Sequence, residues 1–388
     1  MGTNETHANH ATSTANEVST VIIGAGQAGL ATAQALMTSG HDCVVLERND
    51  RLGDNWRHHY DSLHLYTPAR YDGLPGFPFP GDPHACPGKD EVADYLQAYA
   101  AHFSLPVRLG VHVVRLAGGG TAHGNDDSRF VVETDAGTYH CNDVVVATGT
   151  FGRAPRVPEF ARDLDPGVLQ LHSSEYRRPS QLAPGPVLVV GASHSGCDIA
   201  YELAETRQTT LVGRDCGEIP IRWDSWQTRM AVPVLVFAWR HVLTRRTPIG
   251  RRAMPHIRHH GGPMLRVKRA DLAARGVLRN PSRVEGVRGG RPVLGDGTVV
   301  DVANIVWATG FEQHFDWIDL PIVGDDGWPR EYRGVADEVP GLYFCGLAFQ
   351  YAFSSMVLPG VGRDARYLAD RIASDRSLHE RALVSVTA

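Results

Sequence analysis

Residues 18–37 read VSTVIIGAGQAGLATAQALM. A short, mostly apolar and β-branched run, Val18 to Ile23, stops at Gly24-x-Gly26-x-x-Gly29, and an alanine-rich stretch, Leu30 to Met37, follows with helical character. Strand, glycine turn and helix in that order open a βαβ unit. Each glycine has its own task. Gly24 makes the tight turn, Gly26 lets the backbone approach a pyrophosphate, and Gly29 lets helix and strand pack closely. Gln27 and Ala28 complete a loop whose helix start faces the phosphates. A second strand, Cys43 to Leu46, ends in Glu47, which lies 23 residues after Gly24 and can accept hydrogen bonds from a ribose diol; Arg48 follows it.

The same grammar recurs downstream. Val187 to Val190 leads into Gly191-Ala192-Ser193-His194-Ser195-Gly196, then a helix from Cys197 to Ala204 and a strand from Thr209 to Val212. Here Ser193 replaces the middle glycine, and the second strand runs into Gly213-Arg214 rather than an acid. A carboxylate would repel a 2′-phosphate, whereas the guanidinium of Arg214 pairs with one, so this unit is expected to take NADP rather than NAD. Two further apolar strands, Val144 to Val146 and Ile305 to Trp307, run directly into Ala147-Thr148-Gly149 and Ala308-Thr309-Gly310, and each is expected to return the chain to a ligand site. Two dinucleotide sites in one chain imply two redox carriers, with FAD held in the first and NADPH visiting the second.

The fold class expected is α/β, with two dinucleotide-binding Rossmann-like domains and the NADP domain inserted into a discontinuous FAD domain. Residues 1–18 are polar and are expected to form a disordered tail. Residues 19–165 and 311–388 make the FAD domain, and 166–310 the NADP domain. The stretch from Arg153 to Pro186 reads as a linker between them with some local structure, and Val287 to Val300 as a β-hairpin.

Composition narrows the function classes. The 388 residues carry 38 Lys and Arg against 43 Asp and Glu, a net charge of −5, which provides no global drive toward nucleic acid. Six widely separated cysteines include no close pair, so neither a structural disulfide framework nor a dithiol redox motif is indicated, and a cytoplasmic setting is expected. No run of apolar residues is long enough to span a membrane.

Glu47-Arg48 followed by Gly53-Asp54-Asn55-Trp56, Tyr60-Asp61-Ser62-Leu63-His64-Leu65, Thr67-Pro68 and Leu74-Pro75-Gly76 resembles the flavin-binding part of class B flavin monooxygenases. The resemblance is nearest to bacterial flavin-containing monooxygenase-like proteins and to plant enzymes that oxidatively decarboxylate indole-3-pyruvate, and it extends over residues 18 to 375. It implies that NADPH reduces FAD, that dioxygen adds to the reduced flavin at C4a, and that one oxygen atom passes to a small organic substrate while the other leaves as water. Trp56, His64 and Thr67 are the candidates it supplies for the flavin's surroundings. Its fingerprint between the domains is imperfect, because Gly167 and His172 enclose four residues rather than three; His172 and Tyr176 receive no catalytic role. An NADPH oxidase or reductase passing electrons to oxygen or a partner, and a redox sensor without turnover, are the alternative readings. A C-terminal helix from about Gly360 through Ala373 is expected to begin near the flavin, with Gly360 and Gly362 allowing close approach.

Between Arg240 and Arg283 stand twelve Lys or Arg and one acid, Asp271, preceded by the apolar stretch Ala231 to Trp239. Segment 231–283 reads as a cationic lid over a substrate cavity in preference to a peripheral membrane contact. Oligomeric state stays open.

Overall fold

The structure, a computed structural model, describes residues 16–119, 128–149, 154–219 and 226–386. Two sheets organise them. In the larger, Asn16–Ile23 lies between Val44–Leu46 and Gly137–Val146, parallel to both, and Leu342–Phe344 adds parallel to the far side of Gly137–Val146. Val21, Ile22, Val144, Val145, Leu342 and Phe344 are wholly buried, as expected for central strands covered on both faces. The helix Gln27–Thr38 packs on one face, with Leu30 and Leu36 meeting Leu368 and Ile372 of the long helix Leu358–Val386. A fully buried leucine of this kind contributes about 1.5–3 kcal/mol.

The smaller sheet is entirely parallel, in the order Leu278–Asn280, Thr209–Val212, Val187–Val190, Asn304–Trp307, Leu169–His172. The chain leaves the larger sheet after Val146 and rejoins it at Ile318–Asp319, so the second Rossmann-like unit is inserted into the first.

Two local expectations need correction. Asn16, Glu17 and Val18 belong to the first strand, paired with Tyr139, His140 and Cys141, so the polar stretch joins the sheet before its apolar run begins; residues 1–15 lie outside the described residues. The stretch read as a linker contains Leu169–His172, an edge strand of the second sheet. The last helix begins at Leu358, two residues before the expected start, and the missing Cβ atoms of its glycines face protein. A Cβ at Gly360 would lie 2.2 Å from the Ser354 carbonyl oxygen, and one at Gly362 would lie 2.5 Å from the Pro75 ring. The hairpin reading holds in part: Val284–Arg288 and Arg291–Leu294 pair across Gly289-Gly290, both at positive φ.

Candidate active site

The first glycine loop is shaped by what surrounds it. Gly24 has φ +102°, and a Cβ there would sit 2.8 Å from the carbonyl oxygen of Ala147. At Gly29 a Cβ would meet the Gly24 carbonyl oxygen at 1.9 Å, so helix and turn touch backbone to backbone. Gly26 differs: it caps the helix Gln27–Thr38 without a side chain, and no protein atom lies within 4 Å of its missing Cβ. The space over Gly26 and the helix start is open. Glu47 stands beside it, with Oε2 accepting the Ala25 amide at 2.8 Å and Oε1 accepting the Asn49 amide at 3.0 Å. The Asn49 side-chain amide also donates to Oε1 at 2.6 Å, and of a carboxylate's roughly four acceptor directions one is then left for a ribose hydroxyl. Gln27 donates to the Met356 carbonyl at 3.4 Å, Ala28 is buried, and Arg48 is exposed.

The second loop repeats this packing. Gly191 has φ +110° and a Cβ there would lie 2.2 Å from the Ala308 carbonyl oxygen, while a Cβ at Gly196 would lie 1.8 Å from that of Gly191. Each Ala-Thr-Gly motif therefore butts its alanine carbonyl against the first glycine of a loop, and Gly149 and Gly310 turn away at φ +76° and +82°. Thr309 donates to the Arg156 carbonyl, whereas Thr148 is half-buried. Ser193 Oγ donates to the Gly262 carbonyl at 3.0 Å, and His194 Nε2 donates to that of Pro263. Those two carbonyl groups belong to the basic segment and lie against the helix start of the second loop. Arg214 is exposed, just past the strand Thr209–Val212.

Residues 60–79 connect the two units. The helix Lys89–His102 holds their far end: Tyr95 accepts from the Leu74 amide and donates to the Phe77 carbonyl, and Tyr99 donates to the Pro75 carbonyl at 3.0 Å. Their near end reaches the second unit. Tyr60 donates to Asp198 Oδ2 at 3.3 Å, Arg266 pairs with the same oxygen at 3.4 Å, and the Tyr66 and His194 rings stand 5.7 Å apart. A small cavity of about 20 Å³ lies here, lined by His64, Tyr66, His194, Asp198 and Arg266 among others. Burial raises the Asp198 carboxyl above its ordinary range, against the pull of Arg266.

Trp56, His64 and Thr67 do not share one environment. The Trp56 indole nitrogen is buried without a protein partner, His64 is exposed with Nδ1 3.0 Å from the Ser62 carbonyl oxygen, and the Thr67 hydroxyl is committed to Asp72 Oδ1 at 2.6 Å. Asp72 was not singled out from sequence. It is fully buried, its Oδ2 has no partner, and burial pushes its carboxyl up to about 7. Gln350 Nε2, Ser354 Oγ and Asp364 Oδ2 are likewise buried and unpartnered, on the segments leading into and along the C-terminal helix. Buried polar atoms without partners are costly. These belong to segments that pack around the first loop, and with the open cradle over Gly26 they fit a large polar cofactor there. Asp72 and Asp198 carry no periodic or motif signal that would have revealed them; Tyr60 stood within the resembling run.

His172 is buried and accepts the Ser174 amide at Nδ1, which leaves Nε2–H to donate to the Gly310 carbonyl at 3.0 Å. Burial lowers its pKa below the ordinary imidazole value. Tyr176 donates to Glu202 at 2.6 Å. Both side chains bind protein.

A sequence signature described as pyridine nucleotide-disulphide oxidoreductase matches residues 21–222. A CzcO-like oxidoreductase of Geobacillus kaustophilus (strain HTA426), named as uncharacterized, is 38% identical over 92% of this chain and 98% of the relative. An indole-3-pyruvate monooxygenase of Oryza sativa subsp. japonica, YUCCA1, is 38% identical over 47% of this chain and 44% of its own length. Among solved structures, a flavin-containing monooxygenase from Stenotrophomonas maltophilia superposes with a TM-score of 0.73 at 26% identity, covering 92% of this chain and 99% of that one.

Proposed function

The chain belongs to the pyridine nucleotide-disulphide oxidoreductase family, in its class B flavin monooxygenase branch, and from that premise we propose an FAD- and NADPH-dependent monooxygenase acting on a small organic substrate. The observation that carries the reading is the pair of glycine loops, 24–29 and 191–196, joined by the contacts of Tyr60 and Tyr66 with Asp198 and His194. FAD, when bound, supplies a two-electron carrier between NADPH and dioxygen. The balance is NADPH, a proton, O2 and substrate in, and NADP⁺, water and oxygenated product out.

The chain's own part is to bind, orient and exclude water. The amides at the start of the helix Gln27–Thr38 hold a pyrophosphate over Gly26, and Glu47 takes the ribose. Arg214 pairs with the 2′-phosphate of NADPH. His172 positions the turn at Gly310, beside the second loop. The basic segment shields the cleft, which strengthens electrostatic interactions inside it. A dithiol mechanism is a poor fit to these residues: burial pushes the thiols of Cys141, Cys197 and Cys345 up to about 12, where the nucleophilic thiolate is scarce.

The test is anaerobic reduction of the flavin-loaded protein by NADPH, followed by an oxygen pulse. Rapid bleaching, a transient absorbance distinct from oxidised flavin, and hydrogen peroxide well below stoichiometric with a turned-over substrate are expected. Protein that stays colourless after reconstitution overturns the reading. Stoichiometric peroxide with every substrate assigns the chain to the NADPH oxidases instead.

A further inference from the structure

The helix Trp226–Phe237 and the π-helical turn Ala238–Val242 that continues it carry two apolar stripes. Val232, Val236 and Trp239 are buried against Tyr66, Tyr71 and Phe353, so this stripe closes onto the segment that bridges the two units. Met230, Val234 and Phe237 form the other and are 71%, 67% and 59% exposed. Within each stripe the spacing is four and then three residues, and the stripes are offset by two, about 200° around a helix. One face therefore packs against the protein. The opposite face meets solvent.

Two features extend this outer face. Val242 and Ile249 add exposed apolar area, Ile249 at 62% in the first turn of the helix Pro248–His259. Exposed arginines flank it: Arg240, Arg246, Arg251 and Arg252, none of which makes an ion pair with a described acid. The inward arginines are used differently. Arg245 and Arg258 both reach Glu331, which is buried, at 2.6 and 3.2 Å, and Arg258 lies over the Trp328 ring. This clamp ties the segment to the larger sheet's side of the molecule and leaves the other four guanidinium groups outward. Residues 226–270 contain ten Lys or Arg and no Asp or Glu.

We propose that this outer face docks on the surface of an anionic lipid bilayer. Met230, Val234, Phe237 and Ile249 enter the boundary between headgroups and acyl chains, while the four outward arginines pair with lipid phosphates. Charge complementarity selects this occupant over a second copy of the chain. A two-fold contact through the same face would set the exposed guanidinium groups of one copy against those of the other. Among the described residues no helix is long and apolar enough to cross a membrane, so the contact is interfacial. Because the inner stripe of the same helix covers the bridging segment, the docked face sets the cleft's cover directly at the lipid surface.

The experiment is co-sedimentation of the full-length protein with vesicles of phosphatidylcholine alone and of phosphatidylcholine with phosphatidylglycerol, at low salt and at about 0.15 M salt. Binding to the anionic vesicles is expected to exceed binding to neutral ones by about tenfold or more and to weaken with salt. Arg246→Glu with Arg251→Glu, and separately Phe237→Ser with Ile249→Ser, are each expected to reduce it by about tenfold or more, with the melting temperature retained because all four side chains are exposed. No sedimentation at low salt, equal sedimentation with neutral vesicles, or full binding by both pairs of variants overturns the proposal. So does a dimer in solution that the Phe237→Ser, Ile249→Ser variant dissolves, which assigns the face to a second copy.

Discussion

His172 Nε2 donates across 138 positions of sequence to the carbonyl oxygen of Gly310, at 3.0 Å. The bond joins the end of an edge strand to the turn that leaves the neighbouring strand Asn304–Trp307, and the imidazole also rests edge-on against Phe311 at 5.0 Å. Removing the donor leaves a carbonyl unsatisfied, which costs about 1–3 kcal/mol. His172→Ala is expected to slow NADPH-driven bleaching by about tenfold or more and to raise the KM for NADPH, with bound flavin retained. His172→Gln, whose amide can donate to the same carbonyl, should recover most of the loss. Stopped-flow absorbance checks both, and a deficit in flavin content would point to a wider structural role.

Gly26 and Gly29 separate ligand from fold. Gly29→Ala drives a Cβ to within 1.9 Å of the Gly24 carbonyl oxygen, so the turn itself must move, and both flavin content and melting temperature should fall. At Gly26 an alanine meets no protein atom within 4 Å, and the residue's φ of −76° suits any side chain. Gly26→Ala should therefore melt like the parent apoprotein while losing flavin, measured by absorbance after gel filtration with excess FAD.

Arg214 is expected to set the choice of nicotinamide. A hydrogen bond to a charged group is worth about 1.5–3 kcal/mol, so Arg214→Ala should lower the NADPH-over-NADH ratio of kcat/KM by about tenfold or more, mainly through the KM for NADPH. An unchanged ratio removes Arg214 from the assignment.

Protonation should pull stability in two directions. Burial pushes His59 down to about 4 and lowers His172 and His194, so the unfolded chain binds protons below about pH 6.5 that the folded state refuses. Their contribution is complete above that pH and is lost as pH falls. Asp72 runs the other way. Its folded carboxyl keeps a proton up to about pH 7, whereas its ordinary value is 3.8, so its contribution declines as pH rises between those limits. Asp72→Asn retains an acceptor for Thr67 and removes the buried charge. The apoprotein variant is expected to be more stable than its parent by on the order of 2–4 kcal/mol at pH 8 and about equal near pH 4, read from paired denaturant titrations.

The two glycine loops could be read from sequence because the spacing of their glycines is local, although the carbonyls of Ala147 and Ala308 that crowd Gly24 and Gly191 are not. A tight turn, a helix start and the neighbouring strand fall within a few residues of Gly24 or Gly191, and an acid at Glu47 against a basic Arg214 distinguishes the units by charge alone. The C-terminal glycines show where that logic stops. Gly360 and Gly362 carry the same signal of close approach, but their neighbours, Ser354 and Pro75, come from a turn just before the helix and from a loop nearly 290 residues away.

What the amino-acid order settled by itself was the fold class, with two Rossmann-like units nested one inside the other, and the placement of their glycine turns. Tertiary structure alone decided the burial of Asp72, the sharing of Asp198 between Tyr60 and Arg266, the clamp of Arg245 and Arg258 on Glu331, and the division of one apolar helix into an inner and an outer face. The reason is physical. A glycine turn shows itself through a left-handed φ and a helix start that lie within a few residues, even where distant carbonyls such as that of Ala147 also press on it, whereas a carboxylate's protonation and a side chain's exposure depend on desolvation and on partners that distant segments bring to it.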